Sequence, residues 1–402
     1  MKILQLTNKL PFPPKDGGAL ATLNMTEGFL YHGHEVTMLA MNTSRHFYDP
    51  GQIESKIKEN IGLIAIPVNT DVSLLAAIKN LLISSIPYNI ERFRTKDYEQ
   101  ALVKLLTKNK YDIIQLEGLS LVSYIPAIRK FSDSMLILRA HNVEHRLWDS
   151  ITSGRKPGIK KLYFKILSRR LKRFESECLN KIDALIPITA KDKTIFLKMG
   201  NKKPLLVTPA GITPEESRDT TNDKIIFPSL FFIGALDWIP NQDGLLWFIE
   251  NVWPDIVTKY PEMKFFIAGR NAPGSFRKKL RKQGIIFEGE VKNADNFTKD
   301  KAIMVVPLFS GSGIRVKILQ SMSQGKVVIS TPLGAEGIEA EHGKHILYAR
   351  SPEEFTEKID YIIVNKSLFE KIGKSARTFI YENFNNLAIT KELLSFYNSL
   401  KV

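Results

Sequence analysis

A chain of 402 residues is too long for one ordinary core, so we expect about two or three domains. Its hydrophobic content of 44% and charged content of 25% are typical of a globular protein. The longest strongly apolar runs, such as Leu230–Gly234, are too short to span a bilayer, and no signal-peptide pattern follows Met1. The single cysteine, Cys178, excludes an intramolecular disulfide and any multi-cysteine metal site, so we expect a cytoplasmic protein.

The formal net charge of +15 is concentrated in one segment. Residues 151–174 contain nine Lys or Arg residues and no acid, with six large apolar residues interleaved. Such a basic amphipathic helix fits an anionic membrane surface or a nucleic-acid backbone, and many such charge runs are only solvated helix faces. An anionic membrane surface contacted through residues 155–173 and a solvated face both stay open, whereas nucleic acid is not an expected partner.

The first half of the chain alternates buried strands with helices, a pattern typical of a parallel sheet covered on both faces. Residues 71–94 have no strand partner and are interpreted as an inserted helical excursion with a break at Pro87. The predicted strands are Lys2–Thr7, Glu35–Met41, Gly62–Pro67, Asp112–Glu117, Met135–Ala140, Asp183–Ile188 and Leu205–Thr208. The predicted helices are Leu20–Tyr31, Asp97–Lys108, Leu119–Lys130, Lys160–Cys178 and Ala190–Leu197.

The alternation restarts after a polar stretch at 209–228, which is interpreted as an interdomain linker. The sequence therefore predicts an α/β protein with two doubly wound domains at 1–208 and 229–382. The chain ends in a predicted C-terminal helix at 383–402. In such sheets, ligands bind at the carboxyl ends of the strands. The later predicted strands are Leu230–Gly234, Met263–Ala268, Gly284–Glu288, Ala302–Val306 and Val327–Ser330, and the longer helices are 242–259, 275–283, 313–324, 352–364, 367–382 and 386–400.

The stretch 302–331 predicts a strand, a glycine-rich turn at Ser310–Gly313, a helix with Ser312 as its N-cap, and a second strand. Arg315 and Lys317 lie in the first turn of that helix. Cations there oppose the positive end of the helix dipole, whereas a bound phosphate would make them favourable. The alternatives are an anion site and a pair of solvated surface cations on a core helix.

Other candidate positions carry weaker signals. Gly17 and Gly18 lie at a loop-to-helix junction where a ligand can approach the backbone, although Gly-Gly often only makes a turn. His141 follows a predicted strand in the segment HNVEH, whose order does not match the zinc motif HExxH. The turns 269–271 and 289–291 are strand ends that can hold a nucleobase or be ordinary loops. The sequence contains no GxGxxG loop, Walker motif or Asp-x-Asp.

Taken together, these segments resemble the GT-B glycosyltransferases of the large retaining family numbered four, or group 1. The motifs that carry the resemblance over nearly the whole chain are PFPPKDGG, RAHNVEH, FIGALDWIPNQDG, FFIAGRN, GSGIRVKI and STPLGAEGI. The resemblance implies a GT-B fold of two facing Rossmann-like domains, with a C-terminal helix that crosses back to the N-terminal domain. It also implies a nucleotide-sugar donor and no metal or other cofactor. It implies catalytic roles for His141, Arg315 and Lys317. The implied donor-binding residues are Gly17, Gly18, Gly269, Arg270, Asn271, Gly289, Val291, Ser310, Gly311, Ser312, Gly313 and Gln320.

The sequence departs from the family pattern in two places. The positions equivalent to the family's two glutamates are Ser312 and Gln320, and the loop after Gly234 lacks the Arg and Lys that many members place there. We therefore expect Arg315 and Lys317 to neutralise the donor diphosphate instead.

The resemblance implies transfer of a sugar, with retained configuration, from a nucleotide-diphosphate sugar to a glycan or lipid-linked acceptor. The expected setting is the synthesis of a bacterial cell-surface polysaccharide or a glycolipid. The alternatives are a GT-B-like sugar-nucleotide epimerase and a non-catalytic sugar-nucleotide-binding protein.

Overall fold

A computed structural model describes residues 1–153, 158–213, 225–311 and 313–400 of the chain. The chain forms two compact units. Unit 1 comprises Met1–Gly211 together with Asn386–Val402, and unit 2 comprises Ile212–Asn385. Each unit contains a six-stranded sheet in which all neighbouring strands are parallel. The predicted fold class, two Rossmann-like α/β domains, is confirmed.

The sheet of unit 1 has the strand order β3-β2-β1-β4-β5-β6. Its central strands are almost continuously apolar and buried, as expected of a parallel sheet covered by helices on both faces. The strands are β1 (Lys2–Thr7), β2 (Glu35–Thr43), β3 (Leu63–Val68), β4 (Ile113–Glu117), β5 (Met135–Ala140) and β6 (Ala184–Pro187). The helices are α1 (Gly17–Tyr31), α2 (Ser55–Ile61), α3 (Leu74–Ile83), α4 (Tyr88–Glu91), α5 (Lys96–Lys108), α6 (Ile125–Phe131), α7 (Glu144–Ser153), α8 (Ile159–Cys178) and α9 (Ala190–Lys198).

The sheet of unit 2 has the order β12-β11-β10-β7-β8-β9, so β10 and β7 lie at its centre. The strands are β7 (Ile226–Ile233), β8 (Lys264–Ala268), β9 (Ile285–Gly289), β10 (Lys301–Val306), β11 (Val327–Ser330) and β12 (Leu347–Tyr348). The helices are α10 (Ile239–Asn251), α11 (Trp253–Lys259), α12 (Gly274–Lys279), α13 (Ala294–Thr298), α14 (Val316–Ser323), α15 (Pro352–Val364) and α16 (Lys366–Asn383).

The last helix, α17 (Asn386–Ser399), belongs to unit 1, where it packs against α1. The two helices approach so closely that a Cβ atom at Gly28 would lie 2.2 Å from the Thr390 hydroxyl. Tyr397 of α17 is fully buried beside Phe29 of α1, with the ring centroids 6.3 Å apart. The C-terminal helix therefore returns to the N-terminal unit, as the resemblance implied.

Several sequence-based boundaries are wrong. Leu205–Thr208 is not a strand, because only a single bridge joins Leu205 to Leu185. The predicted helix at 242–259 is divided into α10 and α11, since Pro254 cannot donate the backbone hydrogen bond that a continuous helix needs. Strand β7 begins at Ile226, inside the stretch predicted as linker; residues 214–224 of that stretch lie outside the described residues.

Helix α7 was not predicted, because its N-terminal cap comes from a distant residue. The Glu175 carboxylate on α8 accepts hydrogen bonds from the backbone N–H groups of Glu144 and His145, at 2.7 and 3.0 Å. It also accepts one from His145 Nδ1 at 2.6 Å, which gives this buried histidine a structural role. No helix in the described part of the chain is both long enough and apolar enough to cross a membrane.

Candidate functional site

In unit 2, the loops that follow β7, β8 and β9 are joined by backbone hydrogen bonds at the carboxyl edge of the sheet. Gly234 N–H donates to Ala268 at 3.2 Å, Leu236 N–H to Arg270 at 2.9 Å, and Gly269 N–H to Gly289 at 2.7 Å. These loops form a continuous rim at the edge where parallel sheets bind ligands. The predicted base-binding turns at 269–271 and 289–291 both belong to this rim.

Gly269 is required by packing at the rim. A Cβ atom there would lie 2.1 Å from the Gly234 carbonyl oxygen, so no larger residue fits without a backbone shift. Asn271 adopts a left-handed conformation with φ of 57°, and its Nδ2 lies 3.4 Å from Asp237 Oδ2. Gly289 also has a positive φ, and Val291 packs on the apolar cluster beneath the sheet.

The glycine-rich turn after β10 leads into α14, but the helix begins later than predicted. Gly311 and Gly313 have φ values of 116° and 81°, which keep the chain out of the helical region. The helix starts at Val316 with Arg315 in the N-cap position and no side-chain cap. The prediction of a helix from 313 capped by Ser312 is therefore wrong; Ser312 itself lies outside the described residues, and Ser310 precedes the two glycines in the turn.

The charged group of Lys317 lies in an unusual environment. Its Nζ is buried and has no hydrogen-bond partner among the described residues. It lies 4.0 Å from the centroid of the Phe232 ring, and a Cβ atom at Gly234 would be 3.2 Å from it. Burial, with a further contribution from Arg315, lowers the pKa of Lys317 to about 7. An amine buried without a partner is costly unless a ligand supplies one.

Arg315 stabilises the turn that precedes α14. Its guanidinium donates to the Gly313 carbonyl oxygen and lies beside Gly311. Burial lowers the pKa of Arg315, and the Glu336 carboxylate opposes that effect. Gln320 lies three residues after Lys317, on the same face of α14. The loop after β7 contains no cation of its own, and the structure brings Lys317 of α14 against it.

In unit 1, Gly17 and Gly18 form the first turn of α1. The Asp16 side chain caps this helix by accepting from Ala19 N–H at 2.9 Å, and the same carboxylate pairs with Lys9. The Asp16 carboxylate thus already occupies the helix N-terminus at which a ligand was predicted to bind. Gly17 is exposed at this end of the helix.

His141 follows β5 and is held by a glutamate that the sequence analysis missed. Its Nε2 lies 2.7 Å from Glu117 Oε2 at the end of β4, and 21% of the His141 side chain is exposed. Arg139 Nη1 lies 3.2 Å from the same oxygen, and Gln115 donates to the other one. In a neutral imidazole this arrangement places the proton on Nε2 and leaves Nδ1 as the acceptor.

The Glu117 carboxylate is ionised in this setting. Burial alone would raise its pKa, but the Arg139 guanidinium, His141 and Gln115 outweigh burial and lower the pKa of Glu117 to about 2. The buried Tyr397 hydroxyl of α17 donates to Gln115 Oε1, so a hydrogen-bonded chain connects the C-terminal helix to His141. The signal in the sequence was the polar residues in the otherwise apolar strands IIQLE and MLILRA.

The structure places the predicted site residues in two groups. Gly17, Gly18 and His141 lie in unit 1, where Arg139 donates to both Glu117 and the Ala21 carbonyl of α1. All the other predicted residues that the structure describes lie in unit 2, at the rim or at the start of α14.

Comparisons with known proteins agree with this architecture. Residues 227–365 match the family described as "Glycosyl transferases group 1". An uncharacterised 44.6 kDa protein in the cps region of Klebsiella pneumoniae is 24% identical over 398 residues, covering 96% of this chain and 97% of that protein.

Two solved structures share the fold at low identity. A mutant of TarM from S. aureus, solved with fondaparinux, alpha-GlcNAc-glycerol and UDP, has a TM-score of 0.71 at 13% identity, with 99% of each chain covered. HepE of Anabaena, solved with UDP, has a TM-score of 0.68 at 14% identity, covering 99% of this chain and 100% of that chain. The two parallel six-stranded sheets have the GT-B fold of these structures, and residues 227–365 of the C-terminal unit are similar to the group 1 glycosyltransferases.

Proposed function

We propose that the chain is a retaining, metal-independent glycosyltransferase. It moves a sugar from a nucleotide-diphosphate sugar to a glycan or lipid-linked acceptor in the synthesis of a cell-surface polysaccharide or glycolipid. The observation that carries the proposal is the buried, unpartnered amine of Lys317 at the start of α14.

The chemistry of the α14 N-terminus suits a departing diphosphate. Backbone N–H groups of the first turn, the helix dipole and two cations all favour an anion there. As the sugar leaves, negative charge grows on the diphosphate, and fixed donors in a preorganised site stabilise it. Removing one such donor costs about 2.7–4 kcal/mol in comparable oxyanion sites. Lys317 and Arg315 supply this charge without a metal ion.

The rim supplies a place for the rest of the donor. Its turns at 269–271 and 289–291 follow β8 and β9, the two strands that lie on the side of β7 away from β10. A nucleobase bound by the rim would place its diphosphate at the same edge of the sheet as the start of α14. HepE has been solved with UDP-glucose, which supports a nucleotide sugar as the donor. The relative encoded in a cps region supports an acceptor in surface polysaccharide synthesis.

In unit 1, the hydrogen bond to Glu117 fixes the orientation and the tautomer of the His141 ring. We assign His141 a role at the transferred sugar, where its ring can hydrogen-bond a sugar hydroxyl. No protein nucleophile is part of the proposal. The acceptor attacks from the face that the diphosphate leaves, and the leaving phosphate oxygen takes the acceptor's proton.

The membrane part of the proposal rests on α8. Lys160, Lys165, Arg169 and Lys172 are exposed on this helix, whereas Leu167 and Leu171 are buried against the core. Cations on an exposed helix face favour an anionic membrane on which a lipid-linked acceptor would be presented. Arg155 and Lys156 of the predicted segment lie outside the described residues.

The test is sugar transfer from a panel of nucleotide sugars to lipid extracts of the source cell envelope, with EDTA present. Proton NMR of the product gives the anomeric configuration. We expect transfer that survives EDTA and keeps the donor's configuration, and that Lys317→Met and Arg315→Met reduce it at least tenfold. Lys371→Met, which removes an exposed cation of α16, is the matched control and should retain full activity. Full activity in both site variants, or an inverted product, would refute the assignment.

A further inference from the structure

Helix α3 presents its large apolar side chains to solvent. Leu74, Leu75, Leu82 and Ile83 are 75%, 80%, 79% and 76% exposed. The residues of α3 that are buried are the small Ala77 and the polar Asn80. A surface helix normally does the opposite and turns its apolar stripe towards the core. A continuous apolar patch of this kind typically marks an interaction site.

The orientation of α3 is fixed by polar contacts with its neighbours. At its start, the Tyr88 hydroxyl accepts a hydrogen bond from Ser73 N–H at 2.9 Å. At its end, the Arg170 guanidinium of α8 donates to the Ser84 carbonyl and lies 3.4 Å from Asn80 Oδ1. The outward direction of the leucines is therefore built into the fold.

Helix α8 contacts the C-terminal end of α3 through Arg170 and adds positive charge to this region. Arg170 connects it to the end of α3, and burial together with the nearby Tyr88 raises the pKa of Tyr163. Residues 158–174 contain seven Lys or Arg residues and no acid, and the only charged residue between 72 and 90 is Lys79. At the start of α8, Ile159 and Leu162 are exposed among these cations at 88% and 60%.

We propose that this α3–α8 face, formed by Val72–Ile83 and Ile159–Arg169, is a lipid-docking surface. Its aliphatic side chains enter the boundary between headgroups and acyl chains of an anionic bilayer, while the lysines and arginines contact the headgroups. The proposal deepens the membrane part of the proposed function and does not depend on the transfer chemistry.

Charge selects the lipid surface over a second copy of the chain. An isologous dimer through this face would bring two clusters of cations together around the apolar patch, which is unfavourable. An anionic bilayer satisfies both the apolar side chains and the surrounding positive charge. The short α3 can lie in the interface but cannot span a bilayer.

The test is co-sedimentation of the full chain with vesicles of 70% phosphatidylcholine and 30% phosphatidylglycerol, and with pure phosphatidylcholine vesicles. No nucleotide sugar is present, so the result is independent of catalysis. We expect binding to the anionic vesicles that weakens at 0.5 M NaCl but is not abolished, because insertion of apolar side chains is not screened by salt. The double variant Leu75→Gln/Leu82→Gln should bind about tenfold or more weakly at both salt concentrations, with an unchanged Tm.

The matched control is Val364→Gln, which removes an aliphatic side chain of similar exposure from α15 in unit 2. It should bind vesicles like the unchanged chain. A Leu75→Trp variant should show a blue-shifted tryptophan emission on anionic vesicles. The proposal is overturned if the double variant binds as tightly as the unchanged chain. It is also overturned if the chain dimerises without vesicles and the double variant is monomeric, because the face would then belong to a second copy.

Discussion

Replacing Lys317 by Met tests whether stability has been given up for anion binding. Methionine keeps much of the length and apolar character of the side chain and removes the amine. Since Nζ is buried without a partner among the described residues, the change leaves no hydrogen-bond acceptor unsatisfied. We expect the variant to be more stable than the unchanged chain and much less active.

The size of the gain follows from the pKa. Burial lowers the pKa of Lys317 from 10.5 to about 7. At about 1.4 kcal/mol per pKa unit, keeping this amine charged in the folded chain costs up to about 5 kcal/mol. Between pH 7 and 10.5 the unfolded chain binds more protons at this position, so the stability of the unchanged chain rises with pH. The advantage of Lys317→Met should therefore be largest below pH 7 and should shrink towards pH 10.

The assay is urea unfolding of unit 2, followed by tryptophan fluorescence at pH 6, 7.5 and 9. Lys371→Met is the control, because its amine is exposed and its removal should change the free energy of unfolding by less than about 0.5 kcal/mol. A loss of stability in Lys317→Met at pH 6, or a gain that does not depend on pH, would show that the amine is not held as a buried, unpaired charge.

Three further changes test the other contacts. Glu117→Gln should destabilise unit 1 by about 3–5 kcal/mol, because it leaves Arg139 buried without its counter-ion. Calorimetry above pH 4.5 measures the loss, since the stabilisation by the ionised Glu117 is complete there. In the unchanged chain this stabilisation should fade as the pH approaches about 2, the pKa of Glu117 in the folded chain. Gly269→Ala should destabilise unit 2 by about 1–3 kcal/mol and weaken nucleotide binding in a thermal-shift assay, since its Cβ would lie 2.1 Å from the Gly234 carbonyl oxygen. Tyr397→Phe should cost about 1 kcal/mol and lower kcat more than it raises KM, and equal activity would show that the hydroxyl has no positioning role.

The buried strands could be predicted from the sequence because fully covered parallel strands are continuous apolar runs. Strands β1, β5 and β11 have the predicted bounds. The failures depend on distant residues. Helix α7 is capped by Glu175 of α8, which local sequence does not indicate. The exposed apolar face of α3 could not be predicted from composition either, since its apolar residues are those typical of a buried helix.

The candidate site was likewise only partly predictable from the sequence. Arg315 and Lys317 could be recognised because cations at a helix start conflict with the dipole. Their different environments could not, since only the fold places Lys317 beneath Phe232 and leaves Arg315 against the glycine turn. Glu117 was not predicted as a site residue, because its contacts depend on the register between neighbouring strands. Pairing of β4 with β5 sets Glu117 opposite Arg139, next to His141.

The central claim is that the α14 N-terminus holds the diphosphate of the donor. The most direct measurement is calorimetric titration, at pH 6.5, with the nucleoside diphosphate that gives the largest thermal shift among UDP, GDP, ADP and TDP. We expect a Kd that is tenfold or more higher for Lys317→Met than for the unchanged chain, and an unchanged Kd for Lys371→Met. Equal affinity of Lys317→Met and the unchanged chain would contradict the claim.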